Sequence, residues 1–327
     1  MIFSLAITGP TASGKTALSI SLAKALGAEI LSCDSMQIYR EMDIGTAKAT
    51  PEERAEVPHH LLDIVSPHES FSVEEYRSAA LSAARDVVSR GRMPIFVGGT
   101  GLYVDSLTRG VSLDSPESDP EYRDRILAEL KSDADVSALW ERLRAVDPES
   151  AEKIHKNNVK RVIRALEIFE KTGKPKSLLD KETKGAPSEI FVGMITLDFH
   201  NRETLYERVD RRVDIMMEEG LLPEVEGLLK KGMLTDGTAA QAIGYKEIVL
   251  YLEGKVTLPE AVEQIKLASR RYAKRQLTWF RHEAGAMTVF VDDENGKIRS
   301  SEEILCDALE CFKQFKTQYE LSKGKPQ

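Results

Sequence analysis

Short apolar runs alternate with amphipathic helical patterns over the first hundred residues. Three apolar runs typical of buried strands lie at residues 2–7, 28–33 and 93–97. Helical patterns separate them, at residues 15–26 and 73–90. This alternation is typical of βαβ units, so we predict an α/β fold in which helices flank a parallel sheet.

The pattern changes near residue 113. Turn-forming residues at 114–120 precede three helical patterns, at 123–130, 136–146 and 159–171. Strand character returns at 189–197. It is followed by a short strand at 287–291 and by helical patterns at 202–219, 222–231, 258–281 and 301–319. We predict an all-helical insertion domain at residues 113–187 within a catalytic core formed by residues 1–112 and 188–327.

The first apolar run leads into a motif that binds phosphate. The sequence Gly9, Pro10, Thr11, Ala12, Ser13, Gly14, Lys15, Thr16 has the G-x-x-x-x-G-K-[ST] pattern between a strand and a helix. Glycines let successive backbone N–H groups point inward, and the helix N-terminus adds its positive dipole end. We predict a phosphate or diphosphate site of the P-loop NTPase-like type, in which Lys15 reaches a terminal phosphate and Thr16 binds Mg²⁺. The alternative is a chance match in a surface turn.

Composition narrows the class of protein. The chain has 327 residues, a formal net charge of −8 and three cysteines without a C-x-x-C pair. This cysteine usage is typical of reduced thiols in a cytoplasmic protein, and no apolar run approaches the ~20 residues of a membrane span. Because the chain is acidic overall, any RNA site must be a local basic surface.

Two strand ends carry candidate catalytic residues. Asp34 follows the second apolar run, at the edge where open α/β sheets bind ligands. It could assist the metal, act as a base on a second substrate, or cap the segment that follows. Thr100 lies among three glycines after the third run, where a backbone can approach a ligand closely. A tight turn is the alternative for this segment.

Basic residues are concentrated in three groups of the later chain. They are Lys153, Lys156, Lys160, Arg161 and Arg164; Arg208, Arg211 and Arg212; and Arg270, Arg271, Lys274, Arg275 and Arg281. A run of charges is usually a solvated face, but acid-poor clusters on an acidic protein indicate an RNA-binding surface. The second group could aim an arginine at a diphosphate. His59 and His60 have no partners at metal-ligand spacing, and we interpret them as structural.

Six ordered segments resemble the tRNA dimethylallyltransferase family, in addition to the phosphate loop. They are residues 34–39 (DSMQIY), 43–48 (DIGTAK), 97–103 (VGGTGLY), 161–167 (RVIRALE), 241–247 (QAIGYKE) and 274–281 (KRQLTWFR). The resemblance covers nearly the whole chain. Two departures concern loops: Ala49 stands where the family commonly has proline, and residues 157–159 read Asn-Asn-Val where it often has Asn-Asp-Pro.

The resemblance implies transfer of a dimethylallyl group from dimethylallyl diphosphate to N6 of adenosine 37 in tRNA, with release of diphosphate. Asp34 would act as general base, Thr100 would lie near the bridging oxygen, and Lys15, Arg212 and Mg²⁺ on Thr16 would stabilise the leaving group. The partners implied are dimethylallyl diphosphate and the anticodon stem-loop of tRNA, bound by a monomer with no membrane contact.

The same resemblance implies a set of tRNA-binding residues. They are Asp34, Ser35, Met36, Gln37, Thr100, Arg123, Asn158, Val159, Lys160, Arg161, Gln241, Gly244, Tyr245, Lys246, Lys274, Arg275, Gln276, Trp279 and Arg281. Three other functions stay open on the sequence: a small-molecule P-loop kinase that binds ATP, a prenyltransferase acting on free adenine nucleotide, and a non-catalytic RNA-binding module. The basic second half weighs against the first two, and intact Lys15, Thr16 and Asp34 weigh against the third.

Overall fold

A computed structural model describes residues 1–108, 119–183, 188–234 and 237–323. Its strands are β1 Ile2–Thr8, β2 Ala28–Ser32, β3 His59–His60, β4 Met93–Val97, β5 Ile190–Asp198 and β6 Met287–Phe290. Its helices are α1 Lys15–Leu26, α2 Pro51–Glu56, α3 Val73–Ser89, α4 Gly101–Thr108, α5 Pro120–Glu129, α6 Asp133–Val146, α7 Pro148–Lys153, α8 Val159–Thr172, α9 Lys176–Thr183, α10 Arg202–Glu219, α11 Leu221–Lys230, α12 Tyr245–Leu252, α13 Leu258–Phe280 and α14 Ser301–Lys323.

The strands form one parallel sheet in the order β3-β2-β4-β1-β5-β6. Strand β1 pairs with β4 on one side and β5 on the other, and β4 in turn pairs with β2. The carboxyl ends of β2, β4 and β1 are therefore neighbours at one edge of the sheet. This confirms the predicted α/β class with a parallel sheet flanked by helices.

Each face of the sheet buries a separate apolar core. Leu5 and Ile7 of β1 pack with α1 and with Phe315 of α14, whereas Ala6 between them packs with Tyr76 of α3 and the first turns of α4. Successive strand residues point to opposite faces, so a run that is apolar at every position is covered by helices on both sides. The continuous apolar runs of the sequence reflect this two-sided burial.

A third core lies among α10–α13 and the segment that follows β2. Tyr245 at the start of α12 is fully buried there, with Ile38, Val213 and Leu221 among its cluster. Its hydroxyl donates to Glu224 of α11 at 2.6 Å, and the same carboxylate accepts the backbone N–H groups of residues 43, 44 and 45. A Cβ at Gly45 would lie 2.4 Å from the Tyr245 ring, so only glycine fits this approach.

Contacts divide the chain into two compact units, Met1–Thr108 with Glu189–Gln327, and Arg109–Ser188. The predicted boundaries at 113 and 187 fall outside the described residues. In the second unit, α5, α6 and α8 pack around Leu143, and Glu167 is buried between Arg123 and Arg164. The described residues of this unit are helical or loop, with no strand.

Most predicted elements are present within a few residues of their predicted bounds. The sequence pattern missed α2, β3, α4, α7, α9 and α12, which are all of eight residues or fewer. Residues 59–60, for which the sequence predicts no strand, pair with β2 as an edge strand. Within the described residues, no helix is both long and apolar enough to cross a membrane.

Replacing Gly45 with alanine tests the packing of the third core. We expect Gly45→Ala to lower the free energy of unfolding by about 1–3 kcal/mol, because the added methyl overlaps the Tyr245 ring. Gly227→Ala in α11 is the matched control. Its Cβ would meet no atom within 4 Å, and the helix propensity of alanine should add up to about 1 kcal/mol. Equal effects in denaturant titrations would contradict this packing.

Candidate active site

Three loops leave the adjacent strands β2, β4 and β1 side by side. Gly98, directly after β4, donates its N–H to Ile7 of β1, and a Cβ there would lie 2.0 Å from the Cys33 carbonyl oxygen after β2. The Thr100 N–H donates to that Cys33 carbonyl at 3.3 Å. Backbone atoms of the loops are thus in direct contact, which requires glycine at 98.

The phosphate loop after β1 turns through left-handed backbone conformations. Ala12 has φ of 62° and Gly14 has φ of 90°, the latter directly before α1. The Lys15 ammonium folds back on this loop and donates to the carbonyls of Gly9 and Pro10, at 3.1 and 2.7 Å. Arg208 of α10 donates to the Ala12 carbonyl at 2.9 Å and so holds the strained residue from the other side.

Two further polar groups of this region have no partner in the described chain. The Ser13 hydroxyl in the phosphate loop and Nε of Arg212 on α10 are both buried without a hydrogen bond among the described residues. Buried polar groups are nearly always hydrogen-bonded, so an unpaired hydroxyl and guanidinium in a cavity wall indicate a ligand with acceptor atoms. A diphosphate has such atoms and the matching charge.

Positive charge at the site is only partly balanced. The pKa of Lys15 is lowered to about 7, chiefly by burial and also by the nearby Arg212, while Asp34 acts in the opposite direction. The pKa of the Arg212 guanidinium is also lowered. Burial is the main cause, and Asp34 opposes it. Asp34 therefore lies close enough to both cations to stabilise their charge. An anion between them would restore the ordinary preference of lysine for the charged form.

The segment of Asp34 and Ser35 is hydrogen-bonded to Thr100 through Ser35. Asp34 accepts the Met36 N–H on Oδ1 at 2.9 Å. The Thr100 hydroxyl accepts the Ser35 N–H at 3.0 Å and donates to the Ser35 hydroxyl at 3.2 Å. The predicted candidates from two separate strand ends are thus brought together.

A cavity of about 1370 Å³ is lined by Lys15, Arg212, Asp34 and Ser35, whereas Thr100 is not part of its lining. Its lining includes the phosphate loop, Asp34, residues 43–51, α10 and one face of α13. Apolar side chains share the wall with the cations, among them Met36, Ile44, Val213, Met216 and Ile265. The volume exceeds the roughly 300–1,000 Å³ of ordinary small-ligand pockets. It has room for a substrate with both an apolar and an anionic part, and for a second group.

The predicted RNA-binding residues of helix α13 occupy different environments. Lys274 and Arg275 are exposed, and the Arg275 guanidinium lies over the Tyr272 ring at 5.5 Å. Arg281, just after the helix, pairs with the buried carboxylate of Asp198 through two bonds of 2.7 and 2.9 Å. Arg270 is held by Asp210 of α10, so the acid-free stretch in sequence is partly neutralised in space.

Gln276 and Trp279 face inward and contact the loop after β4. Gln276 is 5% exposed, and both ends of its amide bind backbone groups of the core. Trp279 packs on Gly101, where a Cβ would lie 2.4 Å from the indole nitrogen. Gln276 also lines the cavity, with both ends of its amide hydrogen-bonded to the backbone, and its predicted contact with RNA stays a prediction.

The segment 241–246 also contains both exposed and buried residues. Gln241, Gly244 and Lys246 line the cavity, and Gln241 and Lys246 are exposed. Tyr245 is fully buried with its hydroxyl on Glu224, which departs from its predicted contact with RNA. Gln37 lines the cavity but donates its amide to the carbonyls of residues 46 and 47, so it holds the cavity wall in place.

The predicted RNA-binding residues of the second unit lie on or beside α5 and α8. Asn158, Lys160 and Arg161 at the start of α8 are exposed, and Val159 is half-buried. Arg123 of α5 instead places its guanidinium on Glu167 at 2.9 Å. Lys160 and Arg161 are thus the cations of this set that carry no ion pair to a described residue.

Comparison with known proteins identifies the family. The IPP transferase family model matches residues 37–283, and an isopentenyl transferase model matches residues 3–69. The tRNA dimethylallyltransferase of Thermoanaerobacter sp. (strain X514) is 48% identical over 288 residues, which are 88% of this chain and 91% of the relative. That of Bacillus cereus (strain AH187) is 52% identical over 277 residues, 84% and 86% of the two chains.

This chain belongs to the tRNA dimethylallyltransferase family. Solved structures agree with this assignment. A tRNA isopentenylpyrophosphate transferase from Bacillus halodurans has a TM-score of 0.67 and 42% identity, covering 98% of this chain and 99% of its own. A eukaryotic dimethylallyltransferase, described as acting on tRNA, has a TM-score of 0.75 and 31% identity over 89% and 74% of the two chains.

The sequence analysis did not single out several residues that hold the loops of the site in place. Arg208 supports the phosphate loop, and Glu224 anchors residues 43–45. Lys48, whose side chain is 1% exposed, binds Asp43, Asp63 and the Tyr39 carbonyl. A lysine inside a motif is easily interpreted as a ligand-binding residue. Only the burial of Lys48 and its partners show that it stabilises the cavity wall. Arg208 was visible as one of three arginines, but their spacing did not distinguish them.

The lowered pKa of Lys15 makes diphosphate binding depend on pH. Above pH 7 the ligand-free lysine is mostly neutral, whereas a bound diphosphate favours the charged form. We expect uptake of up to about one proton per diphosphate at pH 8, and weaker binding as pH rises further. Calorimetry of inorganic diphosphate binding in buffers of different ionisation enthalpy measures this uptake. Lys15→Arg should abolish it, and equal uptake by that variant would contradict the assignment.

Proposed function

We propose that this protein transfers the dimethylallyl group of dimethylallyl diphosphate to N6 of adenosine 37 in the anticodon loop of tRNA, releasing diphosphate. The observation that carries the proposal is one cavity lined by the phosphate loop, Asp34 and Arg212, whose Nε has no hydrogen-bond partner among the described residues. Family membership supplies the reaction class, and the site supplies an anion cradle, an apolar wall and a carboxylate in the places that this reaction needs.

The reaction exchanges two bonds at one carbon. The N6 nitrogen attacks C1 of the dimethylallyl group, and the bond from C1 to the bridging oxygen breaks. One proton leaves N6 for the Asp34 carboxylate, which acts as general base. The adenine amine is a weak nucleophile, because its lone pair is delocalised into the ring. Placement of both substrates and stabilisation of the leaving group must therefore supply most of the rate.

Hydrogen-bond donors that the fold already holds in position would stabilise the charge that develops on the leaving diphosphate. Lys15, the amides of residues 14–16 and Arg212 are held by α1 and α10, and Arg208 keeps the loop in shape. Thr100 shares hydrogen bonds with Ser35 and adds a hydroxyl beside Asp34. Such fixed donors require little reorganisation as charge develops.

Mg²⁺ fits the donor set at the start of α1. No group of three or more histidine, cysteine, aspartate or glutamate side chains that could hold a metal occurs in the described chain. Mg²⁺ commonly binds through one or two protein oxygens together with substrate phosphates and water, so the Thr16 hydroxyl and a diphosphate suffice. When bound, the ion would neutralise diphosphate charge.

RNA would bind through exposed cations on both units. Arg271, Lys274 and Arg275 of α13 and Lys160 and Arg161 of α8 are exposed in a chain of net charge −8. The target base must leave its stack to enter the cavity, which costs a few kcal/mol and less in a loop than in a duplex. Loop bases then supply specificity, and phosphate contacts supply affinity.

We also propose that the chain acts as a monomer in the cytoplasm. Cys33, Cys306 and Cys311 are free thiols. Free thiols at this frequency are typical of a reducing compartment.

Mass measurement of modified RNA tests the reaction. The protein is incubated with Mg²⁺, dimethylallyl diphosphate and an unmodified anticodon stem-loop that carries adenosine 37. We expect a gain of one C5H8 unit, and a rate about 10²–10⁴-fold lower for Asp34→Asn, which cannot accept the proton. Asp86→Asn on the surface of α3 is the control and should retain activity. Transfer to free AMP alone, or phosphate transfer from ATP to a small alcohol, would refute the proposal.

The contribution of α8 to RNA binding is separable from chemistry. We expect the double variant Lys160→Gln, Arg161→Gln to raise KM for the stem-loop while kcat stays within about twofold. The slope of log affinity against log salt should fall by about one for each phosphate group that the variant no longer neutralises. Lys153→Gln is the matched control, since Lys153 already pairs with Glu149. A fall in kcat without a change in KM would contradict this role.

A further inference from the structure

Gln276 joins two loops that serve different substrates in the proposed function. Its Oε1 accepts the Thr11 N–H of the phosphate loop at 2.8 Å, and its Nε2 donates to the Gly99 carbonyl at 2.9 Å. The first loop follows β1 and the second follows β4, which are adjacent strands. A single amide thus spans the gap between the loops beyond the end of the sheet.

The connection continues to the proposed base. Thr100, next to Gly99, binds the N–H and the hydroxyl of Ser35, and Ser35 follows Asp34. Hydrogen bonds at Gln276 and Ser35, joined by the peptide bond between Gly99 and Thr100, therefore link the phosphate loop to the Asp34 segment. The two ends of this connection hold the leaving group and the group that accepts the proton.

The side chain of Gln276 is tightly packed against the loop after β4. A Cβ at Gly99 would lie 2.0 Å from Nε2, so glycine is required for the amide to reach the carbonyl. Three residues further along α13, Trp279 packs on Gly101 in the same loop. Helix α13 is thus docked on this loop by two neighbouring side chains, and the amide of Gln276 makes the polar contact.

We propose that Gln276 is a positioning residue that sets the distance between the bound diphosphate and the acceptor nitrogen. This inference rests on the proposed function. Transfer requires C1 and N6 to approach in line, and a misplacement of about 1 Å can cost about 100-fold in rate. Because both ends of its amide are bound to backbone groups, Gln276 acts through the two loops.

Two variants separate this role from loss of stability. Gln276→Met keeps the size of the side chain and removes both hydrogen bonds. We expect kcat to fall about 10–100-fold while KM for the stem-loop and for dimethylallyl diphosphate changes less than about threefold. Phe280→Leu, one turn further along α13 and 2% exposed in the core, is the matched control for stability. It should lower the melting temperature but retain kcat.

The variant Gln276→Glu should have a kcat that depends on pH in a characteristic way. An ionised glutamate still accepts the Thr11 N–H but places a charge against the Gly99 carbonyl, whereas a protonated glutamate can make both hydrogen bonds. Burial raises the pKa of a carboxyl group, so kcat relative to the unchanged protein should recover as pH falls. Gln276→Met should show no such recovery.

The outcomes distinguish the inference from the function on which it rests. An unchanged kcat in Gln276→Met, a raised KM for RNA with normal kcat, or a loss of kcat matched by Phe280→Leu would each overturn the positioning role. Absence of transfer by the unchanged protein would refute the proposed function instead. Amide hydrogen exchange in the ligand-free protein then decides the inference. Faster exchange at residues 9–14 and 98–101 in Gln276→Met, but not in Phe280→Leu, supports the bridge, and equal exchange overturns it.

Discussion

Close contact between backbone loops at one end of the sheet is the constraint on which this site depends. Strands β2, β4 and β1 are neighbours, so the chain segments after them must cross within a few ångströms. Side chains at Gly98, Gly99 or Gly101 would overlap Cys33, Gln276 or Trp279. The glycines therefore serve packing between protein segments as much as access for a ligand. Once the loops are this close, a few hydrogen bonds fix their relative positions.

Charge explains why such a site is built to receive an anion. Lys15 and Arg212 lie in a partly apolar cavity with Asp34 as an opposing charge, and burial lowers the pKa of both cations. In the ligand-free protein, Lys15 satisfies its donors on backbone carbonyls of its own loop, whereas Nε of Arg212 has no partner in the described chain. Part of the cost of burying these groups is recovered only when an anion arrives. The folded protein thus carries a local instability that ligand binding relieves.

The sequence was sufficient for the parts of the structure that depend on local pattern. Two-sided burial produces continuous apolar runs, so the strands β1, β2 and β4 and the helix α1 were predicted to within a residue of their ends. The phosphate loop follows from spacing alone. Short elements such as α12 and β3 were missed, because two to eight residues carry too little periodicity. Their positions depend on distant partners, such as Glu224 beneath Tyr245, which no local pattern contains.

The same limit applies to the roles of motif residues, and α13 shows why. Lys274, Arg275 and Gln276 are consecutive in sequence, yet two are exposed and the third is buried between two loops. Adjacent helical residues differ by about 100° in direction, so a single motif necessarily spans more than one environment. A motif therefore identifies the functional helix, but it does not show which of its residues contact a ligand and which contact other parts of the protein. One face of α13 carries charge to the surface, and the other holds the phosphate loop against the loop of Thr100.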